Sequence, residues 1–147
     1  MDHKGKIGEI MRLWHYKLLP YLPKSQIQGQ WRELNSIFKD QPKHILINYV
    51  YEYSKKDLLV YTDLLLIEMT KRGIKANMKN VFAYFGTYNP VEDFSYTPFK
   101  NHHTPRYLKQ CFYNLQEKYD RGQKDFTKEE YIKLNEAYWF NFNKEEK

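Results

Sequence analysis

This chain of 147 residues contains a single cysteine, Cys111. One thiol cannot form a disulfide within the chain, so the sequence predicts a protein that needs no oxidising compartment. Cys111 also lies within an apolar pattern of helical period, which indicates a small buried side chain. We therefore expect neither a disulfide framework nor a catalytic thiol.

Long apolar runs are absent as well. No stretch approaches the roughly 18 consecutive apolar residues of a membrane-spanning helix, and the charged start lacks the apolar segment of a signal peptide. We expect a cytoplasmic protein that does not enter a membrane.

Several motifs of enzymes and metal proteins are also missing. The sequence has no glycine-rich phosphate loop, no nucleophile elbow and no internal repeat. Its histidines and cysteine lack the Cys-x-x-Cys or His-x-x-x-His spacing of zinc sites, and adjacent histidines such as His102 and His103 rarely ligate one ion. No metal site is expected.

Positive charge and aromatic side chains are abundant instead. The formal net charge is +6, and aromatic residues make up 18% of the chain. A polyanion is a more natural partner for such a chain than an acidic protein or a neutral metabolite. Most of the rings are expected in the core, while rings exposed beside Lys and Arg could stack on bases.

The pattern of apolar residues predicts a mostly α protein. A chain of this length forms one compact helical domain, which we place at 11–147, with 1–10 as an N-terminal extension. The apolar run 42–53 fits a buried strand or a helix, and we favour the helix. A long aromatic-rich loop is expected over 77–101, with one short helix at Lys79–Phe85.

Capping signals locate the other helices. Ser25 is the candidate N-cap of a helix that extends to about residue 38. Ser54 and Asp57 form a candidate cap for a helix that extends to about residue 72, and Gly73 would end that helix. Thr104 and Pro105 are the candidate N-cap and first residue of a third helix, and Gly122 lies near its end. A fourth helix begins at the capping box of Thr127 and Glu130, with a hydrophobic staple between Phe126 and Tyr131.

The helix predicted from Ser25 carries the residues with the most chemical potential. Glu33 falls in line with Gln26 and Gln30, beside a buried stripe, and so lies at the edge of the core. A carboxylate partly removed from water suits a general acid or base. Arg32 points about 100° away from Glu33 and can reach a phosphate. The stripe is formed by Ile27, Trp31, Leu34 and Phe38.

The run Gln30-Trp31-Arg32-Glu33-Leu34, about twenty residues after Met11, resembles the pyrimidine dimer DNA glycosylase family, which includes the phage endonuclease V enzymes. The resemblance is strongest to the bacterial branch and extends over about 11–74. The other similar segments are Met11-Arg12-Leu13-Trp14-His15, Leu19-Pro20-Tyr21-Leu22-Pro23, Lys43-His44 to Tyr49-Val50, and Glu68-Met69-Thr70-Lys71-Arg72-Gly73-Ile74.

The resemblance implies a repair enzyme that joins glycosylase and abasic-site lyase activities. Its nucleophile would be the α-amine of the chain, here that of Met11, and its partner would be duplex DNA with a damaged pyrimidine. Glu33 would stabilise positive charge on the sugar and move protons, and Arg32 would assist. The chemistry needs no cofactor, and an enzyme that scans DNA is expected to be a monomer.

The same resemblance suggests the residues that contact DNA. Arg12 and Lys43, with Arg32, would hold phosphates on either side of a kinked site. His15 and His44 would contact phosphate or sugar, although a lone histidine is more often structural. Gln26 and Gln30 complete the expected DNA-binding set.

The nucleophile is where the chain departs from the family pattern, because Met1 precedes Met11 by ten residues. Gly8 and Glu9 are encoded by GGN-GA(A/G), which can spell a ribosome-binding sequence just ahead of the Met11 codon. We therefore expect translation to begin at Met11. If it begins at Met1, the attacking amine would have to be a lysine such as Lys17 or Lys24, or the site would be inactive.

Two further departures concern the lesion that is recognised. The second arginine of the phage pattern falls on Ser36 here, and a histidine near the helix start falls on Gln26. Two other functions also remain open. The chain could be a nucleic-acid-binding module without catalysis, or a helical domain whose aromatic residues bind another protein.

Overall fold

The computed structural model describes residues 12–90 and 95–143, and its secondary structure there is helical, without a β-strand. The predicted mostly α fold is thus confirmed. Met11 and the extension 1–10 lie outside the described residues. The α-helices are α1 (Lys24–Asp40), α2 (Lys55–Lys71), α3 (Lys79–Phe85), α4 (Pro105–Asp120) and α5 (Lys128–Glu136), and shorter elements are the 3₁₀ helices Tyr16–Tyr21 and Asn48–Glu52 and the π-helical turn Ala137–Phe142.

Helix α1 starts two residues earlier than predicted, and Ser25 is not its N-cap. Pro23 occupies that position and makes no side-chain cap. The backbone N–H and the hydroxyl of Ser25 both donate to the carboxylate of Asp125, the hydroxyl at 2.8 Å. A side chain 100 positions away therefore caps the first turn, which local sequence could not indicate.

The buried face of α1 also differs from the predicted stripe. Trp31 is only partly buried, whereas Gln30 and Ile37 lie in the interior with the apolar residues of this face. Gln30 is thus a polar side chain on the core-facing side of the helix. A buried amide of this kind requires hydrogen-bond partners.

Helix α2 has the predicted ends, with Ser54 at the N-cap position and Gly73 in the left-handed region at φ 71°. Asp57 does not complete a cap with Ser54. Its carboxylate instead accepts hydrogen bonds from the Phe99 N–H at 2.7 Å and from the Tyr96 hydroxyl at 2.9 Å. Helix α2 therefore anchors the end of the aromatic-rich loop.

The loop over 77–101 contains the short helix α3 at the predicted position. A second carboxylate of α2, that of Asp63, accepts a hydrogen bond from the Tyr88 hydroxyl. Residues 91–94 lie outside the described residues. The described flanks of the loop are thus tied to α2 at Asp57 and at Asp63.

The run 42–53 is helical in part. Only Asn48–Glu52 forms a helix, of the 3₁₀ type, and a turn precedes it at 45–47. Within it Tyr49 and Val50 are buried, which accounts for the apolar character of the run.

The signals for α4 and α5 are confirmed. The hydroxyl oxygen of Thr104 accepts from the Tyr107 N–H with Pro105 at the first position, and Thr127 and Glu130 form a capping box. The rings of Phe126 and Tyr131 lie edge to face with centroids 6.0 Å apart, as the staple predicts.

The 3₁₀ helix Tyr16–Tyr21 lies at the centre of the packing. It contacts α2, α4 and α5, and its Leu18 and Leu19 are at most 1% exposed. Helix α1 packs beside it against α2 and α3. Among the described residues, no helix is long and apolar enough to cross a membrane.

Candidate active site

The segment 12–14 runs along helix α1, and Gln30 holds it there. The side-chain oxygen Oε1 of Gln30 accepts from the Trp14 N–H at 2.7 Å, and its Nε2 donates to the Arg12 carbonyl at 2.9 Å. Gln30 is 3% exposed. Because both ends of one amide bind the same backbone stretch, the position of this stretch on α1 is fixed.

Two tyrosine hydroxyls bind the remaining carbonyls of the segment. Tyr61 on α2 donates to the Trp14 carbonyl at 2.6 Å and also lies 3.0 Å from Gln30 Oε1. Tyr107 on α4 donates to the Leu13 carbonyl at 2.6 Å. Three helices thus each contribute one side chain, Gln30, Tyr61 or Tyr107, to a set that we call the backbone clamp.

Burial keeps the two tyrosine hydroxyls of the backbone clamp protonated. Tyr61 is fully buried, and burial is the main cause that raises the pKa of the Tyr61 and Tyr107 hydroxyls. Both hydroxyls therefore stay protonated and act as donors at neutral pH. Residues 12–14 lie in no helix or strand, so the clamp satisfies the polar groups of their backbone.

Two buried histidines continue this network beyond the clamp. His15 Nδ1 accepts from the Lys17 N–H at 3.1 Å, and its Nε2 lies 3.0 Å from the His103 carbonyl. His103 Nδ1 accepts from the Tyr16 N–H at 3.3 Å, and its Nε2 lies 2.8 Å from the Tyr49 hydroxyl. Each ring thus uses Nδ1 as an acceptor and carries its proton on Nε2.

The environment keeps both histidines neutral. Burial lowers the pKa of His15 to about 3, against a weaker opposing effect of its bond to the His103 carbonyl. Burial, with the neighbouring His15 and His102, lowers the pKa of His103 well below its usual value. His15 is 2% exposed, so the structure places it under the surface, and the phosphate or sugar contact predicted for it would require a rearrangement.

Glu33 lies on α1 one turn beyond Gln30, half-buried as predicted for the edge of the core. Its oxygen Oε2 is shielded from solvent. Burial, followed by the neighbouring Tyr84 and Glu33, raises the pKa of Tyr51 to about 12. Glu33 therefore lies one helical turn from the clamping residue Gln30, and its carboxylate is close enough to Tyr51 to contribute to the pKa of that hydroxyl.

The two arginines near Glu33 have different environments. Arg32 is exposed and folds back over Gly29, where a Cβ atom would lie 3.5 Å from its Nη2. Arg12 is half-buried, and its guanidinium carbon lies 5.7 Å and 5.8 Å from the ring centroids of Trp14 and Tyr107. Arg32 is free to meet a phosphate, whereas Arg12 is held by two aromatic faces.

Lys43 and His44 belong to the turn that faces Tyr51. The Lys43 Nζ atom lies 5.3 Å from the Tyr51 ring centroid, and the Tyr51 hydroxyl donates to the Pro42 carbonyl at 2.7 Å. Lys43 is exposed and His44 half-buried. This turn therefore brings the positive charge of Lys43 to the ring of Tyr51.

Of the residues that sequence reasoning selected, Met11 lies outside the described residues. Gln26 lies about 10 Å along the axis of α1 from Glu33, and its amide is 3.4 Å from Gln123. Gln30 lies inside the protein, where its predicted contact with DNA is replaced by the clamp. The roles of the other selected residues stay predictions.

Sequence reasoning missed Tyr61, Tyr107, Tyr49 and His103. Nothing in their neighbouring residues distinguishes them from ordinary core aromatics. One signal was available for Gln30, because it is spaced three residues after Ile27 and four before Leu34. A polar residue in such a buried stripe predicts a hydrogen-bonding role.

Cys111 is fully buried, as predicted, and burial raises the pKa of its thiol. A protonated, inaccessible thiol is a poor nucleophile. Within 12–90 and 95–143, no three His, Cys, Asp or Glu side chains are grouped so that they could hold a metal ion.

Comparison with known proteins agrees with the resemblance seen in the sequence. Residues 11–80 match the sequence model of the family described as pyrimidine dimer DNA glycosylase. Searches of curated proteins and of solved structures find no significant match. The matched region includes Gln30, Arg32 and Glu33, and over residues 11–80 the chain is similar to the pyrimidine dimer DNA glycosylase family.

Proposed function

We propose that this protein is a DNA repair glycosylase with an associated abasic-site lyase, acting on pyrimidine dimers or related pyrimidine lesions. Its nucleophile is the α-amine of a chain that begins at Met11. The family match over residues 11–80 supports the glycosylase activity, and the backbone clamp is the observation that supports the choice of nucleophile.

The clamp matters because an α-amine acts only if the chain start is held in place. Gln30 fixes the Arg12 carbonyl 2.9 Å from its Nε2, one helical turn before Glu33. In a chain that begins at Met11, the amine belongs to the residue directly before Arg12, which carries this fixed carbonyl. Holding a nucleophile beside its acid/base partner removes much of the entropic barrier to reaction.

The amine also has suitable acidity. An α-amine has a reference pKa of about 8, against about 10.4 for a lysine side chain, so more of it is unprotonated at neutral pH. Its lone pair forms a bond to C1′ while the bond between C1′ and the base breaks, and the base leaves with that electron pair and a proton. The amine loses a proton, the sugar ring opens, and an imine links Met11 to the sugar.

Glu33 serves both steps of this reaction. Its carboxylate stabilises the positive charge that develops on the sugar as the base leaves, and it carries protons between the amine and the sugar oxygen. The imine then acidifies the C2′ hydrogen. Loss of that proton expels the 3′ phosphate by β-elimination, and water releases the sugar from the amine.

The phosphates on either side of the lesion require positive charge. Arg32 follows the clamp residue Gln30 by two positions on α1 and Lys43 lies against Tyr51, and both are exposed and can pair with these phosphates. The formal net charge of +6 supports duplex DNA as the partner. No step needs a metal or an organic cofactor, and we propose that the enzyme acts as a monomer.

Borohydride trapping on a duplex with an abasic site tests the proposal, because reduction makes the imine permanent. Protein that begins at Met11 is compared with protein that begins at Met1, each with and without Glu33→Gln. We expect an adduct from the shorter chain, and at least about 100-fold slower trapping with Glu33→Gln. The matched control is Glu52→Gln, which changes an exposed carboxylate and should trap normally.

Each other outcome contradicts part of the proposal. Equal trapping by both chains would make a lysine such as Lys24 the nucleophile. No trapping by either chain, combined with binding that weakens steeply with salt, would indicate a DNA-binding module without catalysis. No trapping and no salt-dependent binding would favour a protein-interaction domain.

A further inference from the structure

Ile45 is the most exposed large apolar side chain among the described residues, with 85% of its surface accessible. The next in exposure is Phe140 at 65%. Ile47, two positions later, has the same side chain but is fully buried. The turn thus directs one isoleucine into the core and the other into solvent.

The exposure of Ile45 does not come from a loose loop. The His44 N–H donates to Asn48 Oδ1 at 2.7 Å, and the His44 carbonyl accepts from the N–H groups of Ile47 and Asn48 at 2.9 and 2.8 Å. His44 Nδ1 also accepts from the Leu46 N–H at 3.1 Å. Four hydrogen bonds centred on His44 therefore fix the backbone on both sides of Ile45.

Ile45 also lies close to the candidate active site. Pro42, three residues before it, accepts a hydrogen bond from the hydroxyl of Tyr51, whose pKa is raised mainly by burial and then by the neighbouring Tyr84 and Glu33. Three residues span at most about 11 Å of chain. The exposed Lys43 lies between Pro42 and Ile45, so the turn presents an apolar tip next to a positive charge.

We propose that Ile45 is a wedge that enters the base stack of duplex DNA beside the lesion, an inference that rests on the proposed function. Apolar side chains of this size are inserted between base steps by proteins that kink DNA, while neighbouring cations hold the phosphates. A rigid turn suits this role, because the side chain needs no ordering when it enters the stack. Unstacking then exposes C1′ of the damaged nucleotide to the amine.

The test compares two substrates for the Met11 chain, an abasic site in a duplex and the same site in a single strand. Only the duplex must be unstacked. We expect Ile45→Ala to slow borohydride trapping on the duplex by about tenfold, since the smaller side chain fills less of the opened step. Trapping on the single strand should be unchanged, and Ile45→Leu should restore the duplex rate.

The matched control is Ile132→Ala, which truncates an isoleucine of α5 that is 44% exposed. It should leave both rates unchanged. A fluorescent 2-aminopurine next to the abasic site reports unstacking directly, and its emission should rise with the original protein and with Ile45→Leu but not with Ile45→Ala.

Three results would overturn the wedge. Trapping on the duplex could be insensitive to Ile45→Ala, both substrates could slow equally, or the 2-aminopurine signal could survive the truncation. Failure of the proposed function looks different, because the original protein would then trap neither substrate. Since Ile45 is exposed, its truncation should leave the melting temperature unchanged, which a thermal melt of each variant verifies.

Discussion

The two ends of the chain contribute differently to the candidate site. The region 12–80 carries Arg32 and Glu33 and falls within the family match, whereas 95–143 lies outside that match. Yet Tyr107 and His103 of the second region bind the backbone of Leu13 and Tyr16. The region with the proposed chemistry is thus held in place by a region that the family comparison does not cover.

The difference shows that the matched region does not complete its own site. Gln30 and Tyr61 supply the clamp bonds from within 12–80, and Tyr107 supplies the remaining one from α4. The two histidines are divided in the same way, since His15 belongs to the first region and His103 to the second. Variants in either region should therefore disturb the same segment, 12–14.

Acid should produce the largest effect, because each region buries one neutral histidine. The pKa of His15 falls from 6.5 unfolded to about 3 folded, and that of His103 also falls. Their contribution to stability is present above the unfolded pKa of 6.5 and is lost as the pH falls below it, since only the unfolded chain takes up the protons. For His15 the loss continues down to about pH 3 and approaches about 1.4 kcal/mol per pH unit.

Urea denaturation at pH 7.5, 6 and 5 measures this loss. His15 alone predicts a decrease in the free energy of unfolding of about 2 kcal/mol between pH 7.5 and 5, above the range where most carboxylates titrate, and His103 adds to this decrease. A decrease no larger than that expected from His15 would mean that only one region keeps its histidine neutral. A flat profile would contradict the buried pair.

Gln30→Ala should have the next largest effect, and it tests the contribution of the first region. The substitution leaves the Trp14 N–H and the Arg12 carbonyl without partners in the interior, which costs about 3 kcal/mol of unfolding free energy. Trapping by the Met11 chain should slow as the segment loosens. Urea denaturation and single-turnover trapping measure the two effects.

The control for Gln30→Ala is Gln28→Ala, which truncates an exposed glutamine on the same helix. It should change both quantities little. If the two variants were equally stable, the clamp would not hold the segment 12–14.

The parts of the fold that could be predicted from sequence are those determined within a few residues. Thr104 with Pro105 and Thr127 with Glu130 act across three positions or fewer, and Gly73 acts through its own backbone angle. Such signals locate helix ends without knowledge of the fold. Ser25 shows the limit, because its partner Asp125 comes from 100 positions away.

The candidate site follows the same division. Arg32 and Glu33 were selected through a contiguous run that resembles a family, and Glu33 is half-buried as its helical spacing predicts. The bond between Tyr107 and Leu13 spans 94 positions, and neither residue has a local pattern that indicates the other. Helical periodicity tells which face is buried but not which distant group that face meets.

Tyr107→Phe should have a smaller effect than Gln30→Ala, because it removes one hydrogen bond and keeps the ring. We expect a loss of about 1 to 2 kcal/mol of unfolding free energy, since the Leu13 carbonyl loses its partner. The comparison variant from the other region is Tyr61→Phe, which frees the Trp14 carbonyl. Both should slow trapping if the two regions share the positioning of the segment.

Tyr113→Phe is the control for the pair, since Tyr113 lies on the same helix as Tyr107 and is 43% exposed. It should match the original protein in urea denaturation and in trapping. If Tyr61→Phe slowed trapping and Tyr107→Phe did not, the second region would serve only to cover the first.

Asp125→Ala should have the smallest effect, and it tests a contact between the regions that lies away from the clamp. Loss of the N-cap of α1 costs about 1 kcal/mol. Burial would raise the pKa of Asp125, but the hydrogen bonds from Ser25 outweigh it and lower the pKa, so the cap contributes above pH 3.8 and is lost as the pH falls further. The difference in unfolding free energy between Asp125→Ala and the original protein should therefore shrink near pH 3. The control Asp120→Ala, which changes an exposed aspartate of α4, should differ little from the original protein.

Trapping should be unaffected by Asp125→Ala, because Asp125 binds the first turn of α1 and the clamp lies a turn or more beyond it. A large loss of trapping would instead mean that the second region positions the whole helix, with the clamp only one part of that contact.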